Sequence, residues 1–164
     1  MIFVTVGAQM PFDRMINAVD NWADNTTRVI AQIGDSKLQP QHIEAHRFLT
    51  PTEFSGLIRD AEVVVSHAGM GTILSVMTAG RPLILFPRRG SLRETRNDHQ
   101  VDTAKWFVGK PGITVAFEER ELHEALSRFH ELSSPPQIAA VASDELIHTL
   151  RSFIRQADIS GNKI

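Results

Sequence analysis

Short apolar stretches rich in β-branched residues alternate with amphipathic segments along the chain. The stretches Ile2–Val6, Arg28–Ile33, Ile43–Phe48, Glu62–Ser66, Pro82–Phe86 and Ile113–Ala116 predict six strands. Several show no polar alternation, as expected of strands covered on both faces in a parallel sheet. The segments between them carry helix signals. Thr50-Pro51-Thr52-Glu53 offers a capping box with Pro51 at the first helical position. Ile73, Leu74, Val76 and Met77 make an apolar face that stops at Gly80, a residue suited to a left-handed helix end. Leu122, Ala125, Leu126 and Phe129 mark another helix. Ile138, Ala142, Leu146, Leu150 and Phe153, at spacings of three and four, predict a last one over 137–155, after a hinge at Ser133-Ser134-Pro135-Pro136. Strand–helix alternation through six strands predicts an α/β, doubly wound, Rossmann-like parallel sheet with right-handed crossovers. With no internal repeat and no linker, residues 1–157 read as a single domain, followed by a polar tail over 158–164.

Two glycine loops stand out by the strands they follow. Gly7-Ala8-Gln9-Met10-Pro11-Phe12-Asp13 follows the first strand; Ser66-His67-Ala68-Gly69-Met70-Gly71-Thr72 follows the fourth and opens a helix. In the common doubly wound order 3-2-1-4-5-6, strands 1 and 4 are neighbours at the switch point, and ligands bind beyond their carboxyl ends. Both loops would then line one cleft. Glycines let backbone N–H groups approach an anion, and a helix N-terminus adds partial positive charge. Gly69, Gly71 and the Thr72 hydroxyl therefore suit a diphosphate cradle. The alternative is a tight turn whose glycines serve only positive φ angles.

Familiar nucleotide motifs are missing. No G-x-x-x-x-G-K-[ST] occurs, and the G-x-G-x-x-G begun by Gly69-Met70-Gly71 has Leu74 at its third glycine position and follows the wrong strand. No Asp-x-Asp pair offers hard oxygen ligands to a metal-bridged diphosphate. No metal is therefore expected, and charge neutralisation falls to helix dipoles, amides and basic side chains. The fifth strand leads into Pro87-Arg88-Arg89-Gly90-Ser91-Leu92-Arg93-Glu94-Thr95-Arg96-Asn97-Asp98-His99-Gln100, which should overhang the same cleft. Asn97, Asp98 and Gln100 suit the reading of sugar hydroxyls; the plainer alternative is that Asn97 or Asp98 caps the next helix. The four arginines are either a solvated loop or contacts for an anionic acceptor head group, a membrane surface or an acidic partner.

Composition narrows the class. The 164 residues are 42% hydrophobic and 22% charged with a formal net charge of −2, so a folded globular domain is expected and no electrostatic footprint for nucleic acid exists. There are no cysteines, which removes disulfides and thiol chemistry and fits a reducing cytoplasm. The first residues carry no basic stretch, and no apolar run approaches the roughly 18 residues that cross a bilayer.

Four segments carry a family likeness: Phe3-Val4-Thr5-Val6-Gly7 with Pro11-Phe12-Asp13; Val65-Ser66-His67-Ala68-Gly69-Met70-Gly71-Thr72-Ile73; Gly80-Arg81-Pro82-Leu83-Ile84; and Asn97-Asp98-His99-Gln100. In this order and spacing the sequence resembles the C-terminal domain of glycosyltransferase family 28. The likeness is greatest to its short stand-alone members, the catalytic subunit of the eukaryotic dolichol-linked UDP-N-acetylglucosamine transferase and its bacterial exopolysaccharide counterparts. The final helices match in pattern only. The resemblance implies the C-terminal half of a GT-B fold with a UDP-sugar donor in the cleft and no further cofactor. It implies that Gly69, Gly71 and Thr72, with Ala68 and Met70 between and before them, face the diphosphate. Gly7, Gln9 and Phe12 would lie near the phosphates and the acceptor, and Asp98 and Gln100, with Asn97, by the donor sugar. His67 would lie beside the diphosphate or serve as a turn residue bonded to backbone. Ser75 stands where plant-type transferases have an acidic residue for the ribose.

The activity so implied is metal-independent, inverting hexosyl transfer to a lipid-linked saccharide in polysaccharide or glycan biosynthesis. The base commonly comes from the other half of such folds, so no catalytic residue is assigned. A membrane-anchored, acceptor-binding subunit would complete the enzyme, holding a cytoplasmic protein at the membrane periphery. A non-catalytic nucleotide-sugar-binding module that stimulates a partner transferase is the competing reading. A sugar-nucleotide epimerase normally needs both halves of the fold in one chain. Homodimer formation by the isolated chain stays open.

Overall fold

The computed structural model describes residues 1–8, 10–24, 26–136 and 148. The helix expected over 137–155, the tail 158–164 and Gln9 lie outside the described residues.

Among the described residues six strands form one parallel sheet, β1 (Ile2–Thr5), β2 (Val29–Gln32), β3 (Glu44–His46), β4 (Val63–Ser66), β5 (Leu83–Leu85) and β6 (Ile113–Val115). Their order is β3-β2-β1-β4-β5-β6, so the expected switch point between β1 and β4 is present. Each strand is one to three residues shorter than its apolar stretch, because pairing stops where the chain turns into loops. Among the described residues four α-helices lie between strands, α1 (Asp13–Trp22), α2 (Pro51–Asp60), α3 (Met70–Thr78) and α4 (His99–Phe107), and α5 (Glu119–Ser127) follows β6; β2 leads to β3 without a helix.

Alternation along the central strands sends side chains to two separate cores. Ile2, Val4, Val63, Val65 and Ile84 face Met15, Ile16 and Val19 of α1 and Leu122 and Leu126 of α5. Phe3, Val64, Leu83 and Leu85 face Ile58 of α2, Ile73 and Val76 of α3 and Phe107 of α4. Helices thus cover both faces, which explains the uninterrupted apolar strands. The edge strand β3 differs: Glu44 and Ala45 are exposed, and charge on an open edge discourages pairing with another chain.

Local signals read from the sequence hold in detail. Thr50 Oγ1 accepts from the Glu53 N–H at 3.3 Å, and the Glu53 carboxylate accepts from the Thr50 N–H at 2.8 Å, completing the capping box of α2. Helix α3 ends with Gly80 at φ 64°, where the Gly80 and Arg81 N–H groups donate to the Met77 and Val76 carbonyls. This paired closure needs a left-handed residue, and glycine takes that conformation without a Cβ clash.

Candidate functional site

β1 and β4 run side by side in register, Thr5 opposite Ser66, so the loops that leave them start at the same height. Between those loops lies a cleft of about 340 Å³ lined by Val6, Gly7, Ala8, Met10, His67, Gly69, Gly71, Thr72, Arg88, Thr95 and Gln100. Of the residues expected at the site, Gly7, His67, Gly69, Gly71, Thr72 and Gln100 come together here. Met70, Asn97 and Asp98 are exposed outside the lining. The side chains of Phe12 and Ala68, 1% and 3% exposed, belong to the packed interior and not to the cleft lining. The Phe12 ring stacks on Phe86 with centroids 5.7 Å apart and lies under the Arg88 guanidinium, so apolar and cation–π packing, not the cleft, takes its side chain.

The glycines differ in what they are for. Gly7 has φ 77°, and a Cβ there would stand 2.6 Å from His67 Nε2. Gly69 has φ −93°, which any residue adopts, but a Cβ there would overlap the His67 imidazole. The His67 ring is therefore wedged between the two loops and requires a glycine on each side. Gly71 answers to neither need. It is absent from the positive-φ positions and a Cβ would meet nothing within 4 Å. The tight-turn explanation thus covers Gly7 and fails for Gly69 and Gly71.

Around these loops the polar groups are assigned. Thr5 Oγ1 accepts from the Gly7 N–H at 3.1 Å and the Gln32 amide donates to the Gly7 carbonyl at 3.3 Å. At the other wall α3 begins without a side-chain cap and with no acidic residue in its first turn. Its first N–H groups keep the partial positive charge of a helix N-terminus. His67 Nδ1 is buried without a hydrogen-bond partner among the described residues. Burial first and the nearby Arg88 charge second push the His67 pKa down to about 4, against a smaller opposing contribution from Gln100. The imidazole is thus neutral at neutral pH.

The loop after β5 separates its arginines. Arg88 is 3% exposed. Its guanidinium donates to the carbonyls of Val6 (2.8 Å), Met10 (2.6 Å) and Pro11 (2.6 Å), with a longer bond to that of Glu94 (3.4 Å). Arg89 pairs with Glu118 at 2.6 Å. Arg93 and Arg96 are exposed, Arg93 at φ 57°. The loop is tied down by Glu94, which takes two bonds from Arg14 (2.6 and 3.0 Å) and one from the Arg89 N–H (2.9 Å). Asp98 stands at the N-cap of α4 but its carboxylate accepts from the Gly90 N–H at 2.8 Å instead of capping the helix. Gln100 Oε1 accepts from the Arg88 N–H at 3.2 Å. Val6, Ala8, Met10 and Thr95 also line the cleft, with no sequence signal beyond their place after a strand, and Arg88 reads along the chain only as one of four loop arginines.

The model of the glycosyltransferase family 28 C-terminal domain matches residues 1–153. The chain belongs to that family. Among its relatives is the UDP-N-acetylglucosamine transferase subunit ALG13 of Cryptococcus neoformans var. neoformans serotype D, 29% identical over 119 residues, 71% of this chain and 54% of that protein. Another is the UDP-N-acetylglucosamine--N-acetylmuramyl-(pentapeptide) pyrophosphoryl-undecaprenol N-acetylglucosamine transferase of Prochlorococcus marinus (strain MIT 9312), 27% identical over 116 residues, 65% of this chain and 31% of that protein. The chain thus spans about half of the first relative and about a third of the second. The solution structure of ALG13 matches with a TM-score of 0.56 at 19% identity, covering 91% of this chain and 93% of that one. The calicheamicin glycosyltransferase CalG4 matches at 0.58 and 22%, covering 77% and 34%. These likenesses are of fold. The sheet is the Rossmann-like one of GT-B glycosyltransferases.

Proposed function

We propose that this family 28 domain binds the UDP-sugar donor of a metal-independent, inverting glycosyltransferase and works with a partner subunit. One observation carries the reading. Gly71 stands in the first turn of an uncapped helix at the β1/β4 switch point, and neither its φ nor its packing calls for glycine. A residue that weakens a helix and fills no internal need is explained by a ligand that must approach the backbone there. The helix N-terminus, the Thr72 hydroxyl and the Gly69 and Gly71 amides meet the diphosphate; Gln100 and the nearby Asn97 and Asp98 meet the sugar.

No carboxylate lines the cleft among the described residues. Its donor set offers a metal no hard oxygen anions, and diphosphate departure is eased by amides and fixed charge. In this reading the base that takes the acceptor proton comes from a membrane-anchored partner that also holds a lipid-linked saccharide, with this protein cytoplasmic and peripheral. The relative named a pyrophosphoryl-undecaprenol transferase supports this acceptor class, and the one named a transferase subunit supports a partner. The lack of a carboxylate also favours a second reading, a non-catalytic donor-binding module that stimulates its partner.

Calorimetry with UDP tests the binding claim: the wild type binds and Gly71→Val weakens binding by tenfold or more. Absence of UDP and UDP-sugar binding, both alone and with the partner, would end the donor reading. Undiminished transfer by the reconstituted pair after substitution of both Asp98 and Gln100 would favour the stimulatory module.

A further inference from the structure

Arg88 is the one charged side chain among the residues that line the cleft, and it is nearly inaccessible. Among the described residues no carboxylate lies within ion-pair distance of it. Glu94, the acid next to it in the loop, is bound by Arg14 through both oxygens. The other nearby acid, Asp13, accepts from the Ser36 hydroxyl at 2.6 Å. A buried cation is ordinarily matched by an anion. Here its hydration is replaced by four carbonyl oxygens and the face of Phe12, 4.6 Å from the guanidinium carbon. Those dipoles satisfy four of its five N–H donors, and the acids that act on its charge, Glu94 first and Asp13 second, do so through space without an ion pair. The donor count limits how it acts: both terminal nitrogens spend their hydrogens on carbonyls of residues 6, 10, 11 and 94, which leaves the Nε–H as its one unassigned donor among the described residues. Three of those carbonyls belong to the Gly7 loop, so the same bonds fix the loop's shape. The ring of His67, held neutral, does not share the role.

We propose that Arg88 is a positioning residue that supplies the cleft's standing positive charge for the diphosphate, acting through the Gly7 loop from beneath and not through its terminal nitrogens. This rests on the donor-site reading. Once the nucleoside diphosphate is seated, it adds negative charge beside a cation that has no ion-paired acid of its own among the described residues. The charge serves the phosphates and not the base or ribose, so its removal discriminates between ligands that differ only in phosphate number.

The test is titration of wild type, Arg88→Met and Arg88→Lys with UDP, UMP and uridine, alongside thermal melts. Arg88→Met is expected to reduce UDP affinity at least about tenfold more than uridine affinity, about 1.4 kcal/mol of selective loss. Arg88→Lys is expected to keep most of the UDP-over-uridine preference although its melting temperature falls, since lysine retains the charge but cannot span the four carbonyls. Equal proportional loss for all three ligands in Arg88→Met, or an unchanged UDP preference, overturns the proposal and leaves Arg88 as a loop clamp only. Should Arg88→Met not fold, the wild type decides. A short-range buried charge is weakly screened, so the UDP-over-uridine ratio should fall less than about threefold between 0.05 and 0.5 M salt. A ratio that collapses towards one assigns the attraction to exposed Arg93 and Arg96 and overturns the proposal. A wild type that binds neither UDP nor uridine instead removes the donor-site reading itself.

Discussion

Gly69 and Gly71 sit two residues apart at the start of α3, yet alanine at each should have opposite effects on stability. At Gly69 the new Cβ would overlap the imidazole of His67, whose other side is packed close to the backbone of Gly7. Overpacking of this kind costs about 1–3 kcal/mol. At Gly71 a Cβ meets nothing within 4 Å and the backbone is not in the left-handed region. Alanine there removes chain entropy from the unfolded state and improves helix propensity by about 0.5–1 kcal/mol. For a domain of this size that is a rise in Tm of about 1–4 °C. Both variants should nonetheless lose UDP affinity, Gly71→Val more than Gly71→Ala, because the added atoms occupy the approach to the helix N-terminus. The assay is a urea or thermal denaturation series with calorimetry on the same samples. A double-mutant cycle sharpens it: His67→Ala should rescue the stability of Gly69→Ala, with a coupling of about 1–3 kcal/mol, and leave Gly71→Ala unaffected. A neutral Gly69→Ala, a Gly71→Ala that destabilises by more than about 1 kcal/mol, or full UDP affinity in Gly71→Val would refute the division of roles.

Other outcomes follow from the same geometry. His67 has a folded pKa of about 4 against an ordinary 6.5, so the unfolded chain binds the extra proton between those values. Stability is therefore complete above pH 6.5 and falls as pH drops towards 4, by about 2 kcal/mol at pH 5. Urea midpoints at pH 7 and 5 should show this loss in the wild type and a much smaller one in His67→Gln; equal losses would remove His67 as the cause. Thr50→Ala breaks the capping box of α2 and should cost about 1 kcal/mol. UDP binding should be unchanged, since no α2 residue lines the cleft; weakened binding in a folded variant would contradict that separation. Glu94→Ala strands Arg14, whose side chain is 14% exposed, and frees the loop after β5. A loss of about 2–3 kcal/mol is expected by chemical denaturation, and a loss below 1 kcal/mol would show that Glu119 and the Pro87 carbonyl suffice for Arg14.

The amino-acid sequence by itself determined the sheet and the place of the site. Six short strand-like stretches, several of them without polar alternation, a capping box at Thr50 and a left-handed stop at Gly80 are local signals, written by propensity and periodicity within a few residues. The strand order is the common one for a doubly wound sheet, and it puts the Gly7 and Gly69 loops at one switch point. Only the tertiary structure decided what the individual residues do there. Arg88 reads along the chain as one of four loop arginines, but the carbonyls that enclose it come mainly from residues 6, 10 and 11, some eighty positions away. Phe12 looks like a loop aromatic available to a ligand until Phe86 and that guanidinium are packed on it. Gly7, Gly69 and Gly71 are alike as letters. The His67 ring, held between segments sixty residues apart, separates the two that the fold requires from the one that it does not. Burial of a long polar side chain and the fit of a ring between loops depend on which distant segments meet, and local pattern carries no record of that.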